Sequence, residues 1–172
     1  WKNFQKGKAN SWAPSTSNFY GGDLSQAYRL YTLALAKAPE MGAMNRLKEF
    51  KYLSPEAKWR LAAAYQLAGQ ATIALDLTSG LPVSFEQRSN PGFTFGSALR
   101  DQAMVLETLT LMGNRNKAAS LLETVAGQLA QDGWYSTQTT AYSLIAIAKY
   151  CGKNPSGHKI IANTSINGAT AS

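Results

Sequence analysis

The chain has 172 residues, 45% hydrophobic, 10% aromatic and 16% charged, and its 17 basic and 10 acidic side chains leave a formal charge of +7. Such a composition excludes a disordered tail, and no apolar window approaches the roughly 20 residues of a bilayer crossing, so the chain reads as one globular domain with a real core. A single cysteine, Cys151, rules out an intrachain disulfide, and a single histidine, His158, with no second histidine or cysteine to join it, leaves no plausible zinc site.

Residues 1–22 mix Lys, Asn, Ser, Pro14 and a Gly21-Gly22 pair without a sustained period, which predicts an ordered loop. Its aromatics Trp1, Phe4, Trp12, Phe19 and Tyr20 are too many for a free tail and are expected to pack onto the helices that follow. Asp23-Leu24-Ser25-Gln26 has the spacing of a capping box and opens a helix over 24–38, stopped by Pro39. A shorter helix over 43–52 carries Met44, Leu47 and Phe50 on one side. Ser54-Pro55-Glu56 then supplies an N-cap, a first-turn proline and an acid for the positive end of a helix over 55–68, closed by Gly69.

A brief helix over 71–77 precedes a long loop, 79–96, with Pro82, Pro91 and three glycines; loops of that length are often functional. Leu99, Ala103, Leu106, Leu109 and Met112 mark a helix over 97–112 closed by Gly113. Ala118, Leu121, Leu122, Val125 and Leu129 give the single stripe of a one-faced helix over 115–130. Asp132-Gly133 turns the chain. Ser136 caps a last helix, 137–150, apolar on most of its circumference and therefore expected to be buried, with Gly152 closing it. Beyond it, 160–166 is strand-like and Asn167-Gly168 is a strong hairpin turn, so the returning strand is expected to continue in a neighbouring domain. Without an initiator methionine or a charged-then-apolar leader, the sequence reads as a segment of something longer.

Two regularities organise these elements. Leu67-Ala68-Gly69, Leu111-Met112-Gly113 and Tyr150-Cys151-Gly152 each end a helix in an equivalent slot. Helices apolar nearly all round (24–38, 55–68, 97–112, 137–150) alternate with short or one-faced ones (43–52, 71–77, 115–130), which suits an inner layer touched on both sides and an outer layer backed by water. The expected fold is all-α: antiparallel helical hairpins in two layers, part of an α/α toroid over 1–152, with a short C-terminal β segment over 153–172.

Candidate chemistry is sparse. Cys151 shares its slot with Ala68 and Met112, where an apolar helix end is required, and His158, in a linker after Gly152 and Pro155, is no activating partner. Asp132, Glu86 and Asp101 are the acids that would have to approach a cleft for acid/base chemistry, yet no two share a short motif. Ser84-Phe85-Glu86-Gln87 looks like the thioester sequence Cys-x-Glu-Gln with serine in place of the thiol, and serine cannot form the thioester. Lys2, Lys6 and Lys8 sit at the start and Lys149, Lys153 and Lys159 near the end, while the other basic residues are spread singly along helix faces and do not cluster on one element, which predicts solvated surface and no nucleic-acid partner. No metal, cofactor or membrane span is expected.

Trp134-Tyr135-Ser136-Thr137-Gln138 is the most particular motif: Ser136 caps the last helix, and Trp134 and Tyr135 would anchor the entering turn. A Gly-Trp turn, then Ser-Thr-Gln, then an apolar helix ending in Lys149-Tyr150 resembles the thioester domain of the α-macroglobulin family, well over 97–152 and more loosely over 24–69. The family's helix continues with aspartate after the glutamine, where this chain has Thr139. The resemblance implies an α/α toroid followed by strands of a CUB-like β-sandwich, with Trp134, Ser136, Thr137 and Gln138 as a structural motif. It implies a non-catalytic module of a bacterial protease trap, at the cell envelope on the periplasmic side, whose partners are proteases and neighbouring domains of the same chain. The thioester residues either precede Trp1 in the parent or are lacking. Ala63-Ala64-Tyr65-Gln66-Leu67-Ala68-Gly69 suggests a competing class, a tetratricopeptide-like interaction module, against which the glycine spacings count. A toroid hydrolase or cyclase is the third class, and acids lining a pocket at the inner-helix ends would mark it.

Overall fold

The computed structural model describes residues 1–14, 22–85 and 97–153 and the segments 164–166 and 169–171. Its helices in chain order are α1 (Lys2–Ser11), α2 (Gly22–Leu35), α3 (Met41–Lys48), α4 (Pro55–Leu67), α5 (Ala71–Thr78), α6 (Ala98–Leu111), α7 (Arg115–Leu129) and α8 (Thr137–Lys153). The class is all-α. Two three-residue strands, β1 (Thr164–Ile166) and β2 (Ala169–Ala171), pair antiparallel with Ser165 opposite Thr170; the predicted turn Asn167-Gly168 and the stretch 160–163 lie outside the described residues.

The even-numbered helices pack successively, α2 on α4, α4 on α6 and α6 on α8, while α3, α5 and α7 lie against the same helices from one side. The alternation of fully and partly apolar helices therefore appears as a difference in burial. Ala57 and Leu61 to Tyr65 of α4 and Ala103, Leu106 and Leu109 of α6 are fully or almost fully buried, whereas α7 buries only Ala118, Leu121 and Val125. Alanines 62–64 keep α4 slim enough to be flanked by both inner neighbours. Each fully buried leucine contributes about 1.5–3 kcal/mol relative to an exposed one. One apolar cluster joins α1 to α5, and a second joins Trp59 of α4 to α6, α7 and α8.

Local chemistry sets the helix starts. Ser54 Oγ accepts from Ala57 N, Ser97 Oγ from Arg100 N, and Ser136 Oγ from Thr139 N, each satisfying an otherwise orphaned amide. The capping box expected at Asp23 does not form. Asp23 is buried within the first turn of α2, where Oδ1 accepts from Leu24 N and Oδ2 from Ser54 N, tying the start of α2 to that of α4. Gln26 is drawn away to donate to Ala9 O at 2.9 Å.

The expected loop at the start is instead the helix α1. Its sequence shows no apolar period because only Ala9 is buried on it, with Trp12 at its end edge-on to Phe50; polar bonds do the rest of the docking. Gln26 reaches Ala9 O, Arg29 Nε donates to Gln5 Oε1, and Arg46 donates to Asn10. Trp1 and Phe4 do not pack onto the following helices but stand out into solvent, and Phe19 and Tyr20 lie outside the described residues.

The helix ends correct the predicted repeat. Gly69 (φ +79°) and Gly113 (φ +73°) are left-handed C′ residues, with Gln70 N bonded to Tyr65 O and Asn114 N to Leu109 O in the Schellman pattern. The third member is not Tyr150-Cys151-Gly152, because α8 continues through Gly152 to Lys153 and Cys151 is exposed. It is Leu35-Ala36-Lys37: Lys37 adopts φ +55° and Ala38 N bonds to Leu33 O, so α2 ends three residues before the predicted boundary. Nor is α8 buried all round. Thr139, Ser143 and Ala146 face inward, but Ala141, Leu144, Ile145 and Ala148 form an exposed apolar stripe, since only α6 and α7 pack on α8 among the described helices.

Candidate functional site

Each inner helix contributes one polar side chain to a common cluster: Tyr31 from α2, Arg60 from α4, Glu107 from α6 and Lys149 from α8. Glu107 Oε2 accepts from Arg60 Nη1 at 2.6 Å. Its Oε1 accepts from Tyr31 Oη at 2.7 Å and from Lys149 Nζ, and Lys149 Nζ also donates to Tyr31 Oη at 3.3 Å. Arg60 is fully buried, and its guanidinium lies 4.3 Å from the Tyr31 ring centroid and 5.6 Å from that of Tyr28. Its Nε and Nη2 have no hydrogen-bond acceptor among the described residues, so the ring faces are what compensate that part of the cation.

The cluster brings together helices whose backbones are not neighbours. α2 and α8 do not pack directly, yet Tyr28 and Tyr142 meet edge-on at 5.9 Å and Tyr31 meets Lys149. The row α2-α4-α6-α8 is therefore bent enough for side chains of its first and last members to touch across the concave side.

Burial alone would raise the Glu107 carboxyl, but the Arg60 charge and the hydrogen bonds from Lys149, Arg60 and Tyr31 outweigh it and hold it below the ordinary range. Burial would likewise lower Lys149, and the bond and charge of Glu107 reverse that, leaving it raised. Tyr31 is raised by burial first and by the Glu107 charge second. The lowered Glu107 and raised Lys149 face each other as an ion pair, and each Glu107 oxygen already accepts at least one hydrogen bond. The arrangement clasps four helices together.

At the N-terminal ends of α6 and α8 a second polar group forms around Thr139, the residue standing where the resembled family has aspartate. Thr139 Oγ1 lies 2.8 Å from Ser97 Oγ and 2.9 Å from Ser136 Oγ, so one buried hydroxyl joins the two N-caps. Arg100 pairs with Asp101 Oδ1 at 2.7 Å and donates to Gln138 Oε1 at 3.2 Å. Of the motif singled out in sequence, Ser136 and Gln138 take part in this joint, Thr137 is exposed, and Trp134, 88% exposed, anchors nothing. Tyr135 makes the anchor, donating from its hydroxyl to Gln128 O.

Two of the three candidate acids, Asp101 and Asp132, are described, and they lie apart in burial. Asp101 is buried beside Arg100, Asp132 is exposed on the turn, and Glu86 lies outside the described residues, as do Gln87 and His158. Ser84 is exposed, on a segment held by the Trp59 indole donating to Pro82 O at 2.8 Å. A hollow of about 180 Å³ lies at the C-terminal end of α6, with Thr110, Asn114, Arg115 and Tyr150 among its lining and no carboxylate among the described residues that line it. Among the described residues no group of three His, Cys, Asp or Glu side chains is placed to hold a metal, and no helix is long and apolar enough to cross a membrane.

Sequence reading missed Tyr31, Arg60 and Lys149, and treated Glu107 only as part of a helix. The available signal was a charge inside a helix with no polar face: where every side of a helix is apolar, a lone Arg or Glu has to find its counter-charge on another buried helix. The expectation that the cations are solvated surface fails for Arg60 and Arg100, both buried. Searches for a matching family, curated protein or solved structure gave no match.

Proposed function

We propose that this chain is a non-catalytic module of a bacterial protein similar to the α-macroglobulins, forming part of an α/α toroid in an inhibitor that entraps attacking proteases. The observation that carries the reading is the concave clasp: Tyr28 against Tyr142 and Tyr31 against Lys149 bend the inner row as a ring segment requires and a straight superhelix does not. The exposed stripe Ala141, Leu144, Ile145 and Ala148 supports it, since a ring would lay its next inner helix there. The acids of the concave side are consumed internally, Glu107 by three donors and Asp101 by Arg100, which suits a scaffold.

In this reading β1 and β2 begin the CUB-like sandwich, Trp134, Ser136, Thr137 and Gln138 are the family's structural motif, and the parent works at the periplasmic side of the envelope. Its partners are proteases and its own adjoining domains. The tetratricopeptide-like alternative fits less well, because the left-handed helix ends at 37, 69 and 113 match no regular period of about 34 residues.

The test is to express the whole reading frame that contains this sequence and expose it to serine proteases of different specificity. Entrapment predicts that protease activity on a large protein substrate is lost while cleavage of a small peptide substrate persists. Full activity on both substrates, with the inhibitor candidate cut or uncut, overturns the proposal.

A further inference from the structure

The net charge is unevenly placed. Residues 1–52 hold eight of the basic residues and three of the acids, leaving +5, whereas 53–172 hold nine and seven, leaving +2. Of those three acids, Asp23 is buried against backbone amides, Glu40 is paired with Lys6, and Glu49 is exposed between Lys48 and Lys51, where the two lysines outnumber it. Helix α1 has no acid in its sequence, Lys2 and Lys8 are exposed on it, and Lys48 and Lys51 are exposed at the end of α3 and just beyond. The two helices touch, and Trp12, Phe50 and Tyr52 run edge to edge from the end of α1 to the end of α3.

Large aromatic surface stands out among these cations. Phe4 is 63% exposed, on the opposite side of α1 from the buried Ala9, and Tyr52 is 71% exposed. Lys8 lies over the Phe4 ring at 5.7 Å and Lys51 over the Tyr52 ring at 5.6 Å, so each protruding ring carries an ammonium beside it. An outward phenylalanine, which has no polar handle, gains nothing in water.

We propose that this face of α1 and the end of α3 is a docking surface for an anionic lipid bilayer. Phe4 and Tyr52 enter the headgroup region, and Lys8, Lys48 and Lys51 lie at the level of the lipid charges. Charge complementarity selects a polyanion, and two features favour a bilayer over a nucleic acid. The free cations of the surface are lysines, while Arg46, the arginine of the patch, is occupied by Asn10. The more exposed ring of α1 is the wholly apolar Phe4, suited to acyl chains.

The experiment is co-sedimentation of the purified chain with vesicles of phosphatidylcholine alone and of phosphatidylcholine with phosphatidylglycerol, at low and high salt. Binding is expected to the anionic vesicles only, weakening as salt rises. Replacing Lys8, Lys48 and Lys51 together by Ser is expected to weaken it by about fivefold per lysine, and Phe4→Ser at least as much as one lysine. Lys117→Ser, on the exposed side of α7, is the control and leaves binding unchanged. All these residues are exposed, and a far-UV spectrum matching the parent chain verifies that each variant is folded. Absence of binding to anionic vesicles at low salt overturns the proposal, as does binding insensitive to Phe4→Ser and the lysine variant. Binding of a single-stranded oligonucleotide through the same residues, stronger than that of vesicles, overturns the choice of a bilayer. None of these outcomes depends on entrapment of proteases.

Discussion

The C-terminal ends of the inner helices and their midpoints are held by opposite kinds of interaction. At the ends, Lys37, Gly69 and Gly113 close their helices with bonds that span only a few residues, such as Asn114 N to Leu109 O. At the midpoints Tyr31, Arg60, Glu107 and Lys149 come from four separate helices, and Glu107 reaches partners 76, 47 and 42 residues away in sequence. The ends decide where each rod stops, while the midpoints decide how the rods curve together. A lost end is a local cost; a lost midpoint leaves a charge stranded where water cannot reach it.

The largest expected effect follows from that difference. Glu107→Gln leaves Arg60, fully buried, without its counter-charge and should cost about 3–5 kcal/mol in denaturant unfolding. Lys149→Met removes a partner whose side chain is 38% exposed, and should cost only about 1 kcal/mol. Equal losses for the two variants would mean that burial does not govern the cluster. Arg60→Met combined with Glu107→Leu should recover most of the loss of Glu107→Gln, because the stranded charge is gone.

The same cluster predicts a pH profile. Glu107 is held below its ordinary value when folded, so its contribution is complete above the ordinary carboxylate range and is lost as pH falls through the lowered one. Lys149 is raised, so its contribution is complete below its ordinary value of 10.5 and fades as pH rises through the raised one. Tyr31, also raised, favours the folded state less once the unfolded tyrosine ionises above 10.0. Stability should therefore be flat through the neutral range, fall on the acid side, and fall again in strong alkali. In Glu107→Gln the part of the acid fall that Glu107 supplies should vanish, which thermal melts across pH would read directly.

How much of this was legible in sequence depended on range. Ser54 and Ser136 announced two helix starts because a cap bonds an amide only three residues on, and Gly69 and Gly113 announced two ends for the same reason, while the cap at Ser97 is missed because the predicted helix begins on it. Helix α1 was illegible: it docks through Gln5, Asn10 and the carbonyl of Ala9, and hydrogen bonds leave no apolar period to read. The clasp was illegible because its members share no spacing. Cys151 misled because a Tyr-Cys-Gly phrase copies the helix-end pattern in letters, although the helix continues past it.

Between clasp and helix ends in expected size comes the joint of the two N-caps. Ser136→Ala removes the acceptor for Thr139 N and one neighbour of Thr139 Oγ1, and should cost about 1 kcal/mol. Trp134→Ala should change stability by less than about 0.5 kcal/mol, the side chain being almost wholly in solvent. A larger effect for Trp134 than for Ser136 would shift the weight of the motif from the cap to the turn.

One further effect has the opposite sign and tests the ends directly. Lys37 occupies, at φ +55°, the left-handed position that Gly69 and Gly113 fill in the other two helices, and a side chain is disfavoured there by the clash of its Cβ with the backbone. Lys37 is exposed, and the cost is confined to the backbone. Lys37→Gly should therefore stabilise the chain by up to about 1 kcal/mol, while Gly113→Ala, with open space around the added carbon, should destabilise it by a similar amount. If the three ends are equivalent, both changes are confined to stability and leave the Glu107-dependent acid limb where it was. If Lys37→Gly also displaces that limb, the end of α2 helps position Tyr31 six residues earlier, and ends and midpoints are coupled after all.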